Sequence, residues 1–192
     1  LGVLSGTLSS HVRAGGVCEH WLAGSLVDQP EGVPSGSGIS CSIVWSPPGH
    51  PPMLVIGGAF MTAGGVTCRS LAAWDGASWR DLGGTILTGS TNGVVHALAV
   101  YNGDLIIAGM FDSAGGVPAT NIARFDGTTW HALAGPNGEG LTETPDPPFV
   151  TLGLALTVYN GELIPGGHFP RAGGLAAPHI AWRPSSRQPA PP

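Results

Sequence analysis

The chain has 192 residues and a formal net charge of −5, with 10% charged and 42% hydrophobic residues. An acidic chain without a basic cluster excludes a surface built for nucleic acid or for anionic membranes, and no run reaches the eighteen or so apolar residues that span a bilayer. The 32 glycines and 18 prolines, beside that apolar content, point to many tight turns between buried strands rather than to disorder.

In chain order, residues 1–37 carry Leu4-Ser5-Gly6-Thr7-Leu8 and then Ala14-Gly15-Gly16-Val17. The stretch from Cys18 to Val33 follows with no recognisable hairpin. Residues 38–84 form a second unit. Leu54 to Phe60 is its apolar strand, Ala63-Gly64-Gly65 its glycine loop, and Trp74-Asp75-Gly76 with Trp79 its closing hairpin. A stiff connection, Ser46 to Pro52, lies where later units have a short turn.

Residues 93–135 are the clearest unit. Val94 to Tyr101 is apolar on both alternating sets, as a strand covered on both faces would be. Asn102-Gly103 suits a two-residue hairpin turn, which needs positive φ. Asp104 to Phe111 is a second strand, Asp112 to Thr120 a loop containing Gly115 and Gly116, and Asn121 to Phe125 a third strand. Asp126-Gly127 turns into a fourth, Thr128 to Leu133, centred on Trp130. The unit reads as a four-stranded antiparallel meander. Residues 149–183 repeat it with Tyr159-Asn160-Gly161, Leu163 to Phe169 and Ala172-Gly173-Gly174, but Trp182-Arg183-Pro184 stands where W-D-G belongs. Residues 184–192 have the composition of a proline-rich tail or linker.

The Ala-Gly-Gly element recurs at intervals of 49, 51 and 58 residues. A period near fifty with four strands per period predicts an all-β fold of β-propeller blades across residues 1–183, partial or completed by assembly. A solenoid of stacked sheets is the competing architecture.

The strings ALAVYNGDLIIAGMFDSAGGV, NIARFDGTTWHALAG and LTVYNGELIPGGHF resemble the kelch-like, galactose-oxidase-type propeller repeat of secreted bacterial proteins. The resemblance covers about residues 39 to 183. It implies a propeller, an extracellular or cell-surface location, and a binding or structural role, and it brings no catalytic residues. In this reading Gly64, Gly65, Gly115, Gly116, Gly173, Gly174, Trp74, Asp75, Trp79, Asp126 and Trp130 are structural repeat positions. Two incomplete units flank two complete ones, so the chain is expected to be a fragment, a small closed ring, or one part of an assembly with other copies of itself or the rest of a longer chain. The lack of Met at Leu1 favours a fragment or a processed product.

Chemistry-bearing residues are scattered. The seven histidines show no H-E-x-x-H or H-x-H spacing, although His96 on a first strand and His168 on a second invite a metal reading. No G-x-S-x-G elbow is present, so no hydrolytic triad and no catalytic residue is assigned. Cys18, Cys41 and Cys68 leave at least one thiol unpaired; Cys18–Cys68, Cys18–Cys41 and free buried thiols are all open. The acidic insertion Pro136 to Pro148 places Glu139, Glu143 and Asp146 among loop carbonyls, where calcium is conceivable but a solvated loop is the stronger reading. No other cofactor is expected. This insertion and the loop with Trp45 and His50 are the candidate contact surfaces. The expected function is a non-catalytic interaction or assembly module. The alternative is a carbohydrate-binding or carbohydrate-active propeller domain, with Trp45 free to stack on a sugar or to pack in the core.

Overall fold

The computed structural model describes residues 38–133, 140–142 and 152–183. Among them the chain is all-β, with antiparallel sheets and no helix. The unit at residues 1–37 and the tail at 184–192 lie outside the described residues.

The first sheet orders Ile39–Trp45, Met53–Gly58, Leu71–Trp74 and Trp79–Arg80 as neighbours in sequence. The second does the same with Val94–Tyr101, Asp104–Met110, Ile122–Phe125 and Trp130–Ala132. Both are the expected meanders. The third pairs Leu152–Tyr159 with Glu162–His168, and bridges at Leu163–Arg183 and Gly166–Ile180 add a third segment.

The Asn102-Gly103 and Asn160-Gly161 turns adopt positive φ at both residues, as a type I′ hairpin requires. The Ala-Gly-Gly stretches, expected as loops, are also two-residue hairpins. Ala63 pairs with Val66, Ala114 with Val117 and Ala172 with Leu175 around two positive-φ glycines. The first glycine of each pair sits under an indole where one is present. A Cβ at Gly64 would lie 2.5 Å from Trp79 Cδ1, and one at Gly115 would overlap the Trp130 ring. The repeat therefore couples A-G-G to a tryptophan fifteen residues later.

Each first strand bulges at the same place, skipping Ser40, His96 and Leu154 in the register. Opposite each bulge stands a glycine, Gly58, Gly109 or Gly167, whose added Cβ would run into the carbonyl of Gly38, Val94 or Leu152. The second residue of the G-G or A-G pair is thus fixed by close backbone approach.

The three sheets stand side by side. One core lies between the first and second, built from Trp45, Val55 and Leu71 against Leu98, Leu105, Phe125 and Trp130. Another lies between the second and third, built from Ala99, Tyr101 and Ile106 against Leu163 and Phe169. Alternation along each strand sends one set of side chains to each core. Fully burying one such aliphatic side chain contributes about 1.5–3 kcal/mol.

Short strands between units stitch neighbouring sheets together. Ile86–Thr88 pairs with Ser113–Ala114 of the next unit, and Leu141–Thr142 pairs with Arg171–Ala172. The bridge Leu163–Arg183, set beside Leu105–Phe125 and Leu54–Trp74, corrects the motif alignment by one residue. Arg183, not Trp182, occupies the position of Phe125 and Trp74. Trp182 takes the position of Arg124 and points to the opposite face.

Candidate interaction surface

The face that each sheet turns toward the next unit is built alike. At the end of its first strand stands Trp45, Tyr101 or Tyr159. Trp45 Nε1 donates to Gly103 O at 2.9 Å, and Tyr101 Oη donates to Arg183 O at 3.2 Å, each reaching into the following sheet. Both rings are buried. Tyr159 is 61% exposed, and its hydroxyl has no acceptor among the described residues. The same change occurs along the third segment: Leu71 and Ile122 are buried, whereas their counterpart Ile180 is 54% exposed and the adjacent-rung Trp182 is 59% exposed. The third sheet thus presents an uncovered apolar face of the kind that is buried twice elsewhere in the molecule.

Beside it an apolar groove of about 430 Å³ is lined by Leu133, Leu141, Leu163, Pro165, Gly173 and Ala181, and Trp182 of the exposed face also borders it. A smaller, polar groove of about 300 Å³ lies by Tyr101, Arg124 and Arg183, where Arg124 Nη1 meets Asp104 Oδ2 at 2.6 Å.

The contact residues expected from sequence fall in different places. Trp45 is a core residue, 1% exposed, with its ring 5.8 Å from that of Phe125, so it is not a sugar platform. His50 is exposed on a turn closed by its own amide to Pro47 O at 3.0 Å. Glu139, Glu143 and Asp146 lie outside the described residues, as does Cys18. Cys41 and Cys68 are free thiols, and the pairings expected with Cys18 involve a residue outside the described ones. Burial pushes the Cys41 thiol up to about 11.

The repeat aspartates are turn residues. Asp75 Oδ1 accepts from the amides of Ala77 and Ser78, and Arg80 closes on its other oxygen. Asp126 accepts likewise from Thr128 and Thr129, with His131 Nε2 2.7 Å away. These amide hydrogen bonds, led by that from Ser78, hold Asp75 down to about 2, and those led by Thr129 lower Asp126 further. Desolvation lowers the pKa of His96 at its bulge. His168 and His179 stack with ring centres 5.4 Å apart. Among the described residues no three His, Cys, Asp or Glu side chains converge as a metal site, and no helix is long and apolar enough to cross a membrane.

Sequence reading missed the groove at Gly173 and did not say which residues form the exposed face. The signal for both was present in the lost W-D-G hairpin, and in Gln188, which stands fifteen residues after Gly173 where tryptophan follows Gly64 and Gly115. The fold and surface define an all-β protein of stacked antiparallel repeat sheets. Comparison with known proteins returns no match: no family model, no curated protein and no solved structure is significantly similar to the chain.

Proposed function

We propose that the stacked sheets are blades of a kelch-like propeller, and that the chain is a non-catalytic interaction module of an exported protein that works by laying sheet face against sheet face. The supporting observation is the third sheet, which exposes Tyr159, Ile180 and Trp182 on the face that the first two sheets bury under a neighbour. A second like unit, from another copy, is the surface that fits: the faces seated on the first two sheets supply aliphatic side chains and a backbone carbonyl acceptor.

Sedimentation of the full chain over a concentration series tests this reading. Self-association that disappears in the Ile180→Asp/Trp182→Asp double variant supports it. A wild-type chain that stays monomeric throughout overturns the assembly reading.

The carbohydrate-binding alternative has one observation in its favour, the exposed rings of Tyr159 and Trp182 on a single face. Titration with a panel of soluble oligosaccharides separates the two. Saturable quenching of tryptophan fluorescence, lost in Trp182→Ala, would replace the protein-contact reading with a glycan-binding one.

A further inference from the structure

Two of the three described sheets hold a tryptophan in the same socket. In the second sheet the Trp130 ring rests on Gly115, and its Nε1 donates to Leu82 O at 3.2 Å. The first sheet seats Trp79 on Gly64 in the same way. Both occupants open the same short fourth strand, Trp79-Arg80-Asp81-Leu82 and Trp130-His131-Ala132-Leu133. Each strand pairs with the third strand of its own sheet, Trp79 opposite Trp74 and Trp130 opposite Phe125.

The groove of about 430 Å³ at Gly173 has the same walls. Register carries Leu82, Ile86, Leu105, Ile107, Gly115 and Ala123 of the Trp130 environment onto Leu133, Leu141, Leu163, Pro165, Gly173 and Ala181. The amide of Gly173 donates to Gly140 O at 2.9 Å, just as that of Gly115 donates to Thr85 O at 3.1 Å, so the glycine is held in the same pose. Gly173 also keeps the positive φ of 57° found at Gly115. Among the described residues no ring fills it. Residues 184–192 contain no aromatic side chain, and the segment 180–183 pairs with the second strand on one side only among the described residues.

We infer that the Gly173 groove is a binding socket for a tryptophan on an extended strand of a partner polypeptide. The strand, of the form Trp-x-x-Leu, runs beside 180–182 and seats its indole on Gly173, with the Leu133 carbonyl as acceptor. Main-chain pairing supplies affinity and the ring supplies selectivity, as in other strand-addition complexes. The inference deepens the proposed protein-contact role and rests on it, but its socket is built on Leu163 and Gly173 rather than on Tyr159 and Ile180.

The probe is a synthetic peptide with the sequence of Ala77–Gly84, Ala-Ser-Trp-Arg-Asp-Leu-Gly-Gly, titrated by calorimetry into the full chain. Saturable binding is expected, together with slower amide exchange in 180–183. Binding should weaken at least tenfold when the peptide tryptophan is replaced by alanine. It should weaken similarly in the Leu175→Asp chain, whose altered side chain lies exposed at the groove rim; Gly173→Ala is a second variant, read only if its far-UV spectrum is that of the wild type. Equal affinity of the alanine peptide overturns the socket. If the wild-type chain binds no peptide but the Trp21→Ala chain does, the chain fills the socket itself and the partner assignment falls. A folded chain that binds no peptide in either form overturns the inference, while leaving the self-association of the Tyr159 face to be decided by sedimentation.

Discussion

The indole of Trp45 and the carbonyl of Gly103 meet at 2.9 Å across 58 residues of chain, tying the end of one first strand to the hairpin turn of the next sheet. Trp45→Phe keeps most of the buried ring but orphans that carbonyl, and should cost about 1–2 kcal/mol. Trp45→Ala also leaves a cavity and should cost about 3–5 kcal/mol. Urea denaturation of the two variants gives both numbers; equal losses would show that the hydrogen bond contributes nothing.

Two glycines of one unit should respond to alanine for different reasons. At Gly116 the space beyond the backbone is open and only the φ of 79° opposes a side chain, so Gly116→Ala should cost about 1–2 kcal/mol, and Gly116→Asn less. At Gly109 a Cβ runs into the Val94 carbonyl, and the bulge would have to open. Gly109→Ala should exceed 3 kcal/mol or prevent folding. Thermal unfolding of the pair checks the ranking, and a reversed order would refute the bulge argument.

At the inter-sheet contacts, size is exchanged across the interface. Gly57 faces Val95, with an added Cβ only 2.6 Å from Val95 Cγ1, whereas at the equivalent contact Ala108 faces Gly153, where a Cβ would lie 2.8 Å from that of Ala108. Gly57→Ala alone should overpack the core by about 1–3 kcal/mol. Adding Val95→Ala should recover part of that loss, with a coupling of about 0.5–3 kcal/mol in a double-mutant cycle. Strict additivity would mean that the two residues do not share the space.

The aspartate turns make an acid-side prediction. Asp75 and Asp126 have folded pKa values below the ordinary 3.8, so their contribution is fully present above about pH 4 and is lost as pH falls toward 2. Asp126→Asn should therefore flatten the Tm-versus-pH curve below pH 4 and lower Tm at pH 7 by a few degrees, on the order of one capping interaction. A variant curve parallel to that of the wild type at low pH would contradict the amide hydrogen bonds as the cause.

The buried thiols should be slow to react. Cys41, pushed to about 11 by burial, is expected to resist a thiol reagent at pH 8 until denaturant is added. Labelling of Cys41 at the rate of a free peptide thiol would place it at the surface.

The four main strands of the unit at residues 93–135 were legible within two residues, because alternation, Asn-Gly and Asp-Gly turns and apolar runs all report local geometry. The roles of the glycines were not. Gly109 and Gly115 are dictated by a carbonyl and an indole that sequence order does not place beside them. For Trp45 the proline-rich loop that follows left a surface ring open beside the stronger reading of core packing, and the neighbouring sheet decides for the core by covering it. The one-residue slip at Trp182 escaped notice because both alignments put an aromatic residue near the turn. Only strand register distinguishes them.

The short strands Ile86–Thr88 and Leu141–Thr142 act as hems between successive sheets. The third repeat interval is seven residues longer than the second, 58 against 51. Four of those residues fall between Leu133 and Leu141 and three between Leu141 and Leu152, so the hem stays aligned although the sequence on either side of it is longer. Pairing, rather than the number of residues between pairs, thus keeps the measure of the repeat: the spacing drifts from one unit to the next while the rungs of the hem stay matched.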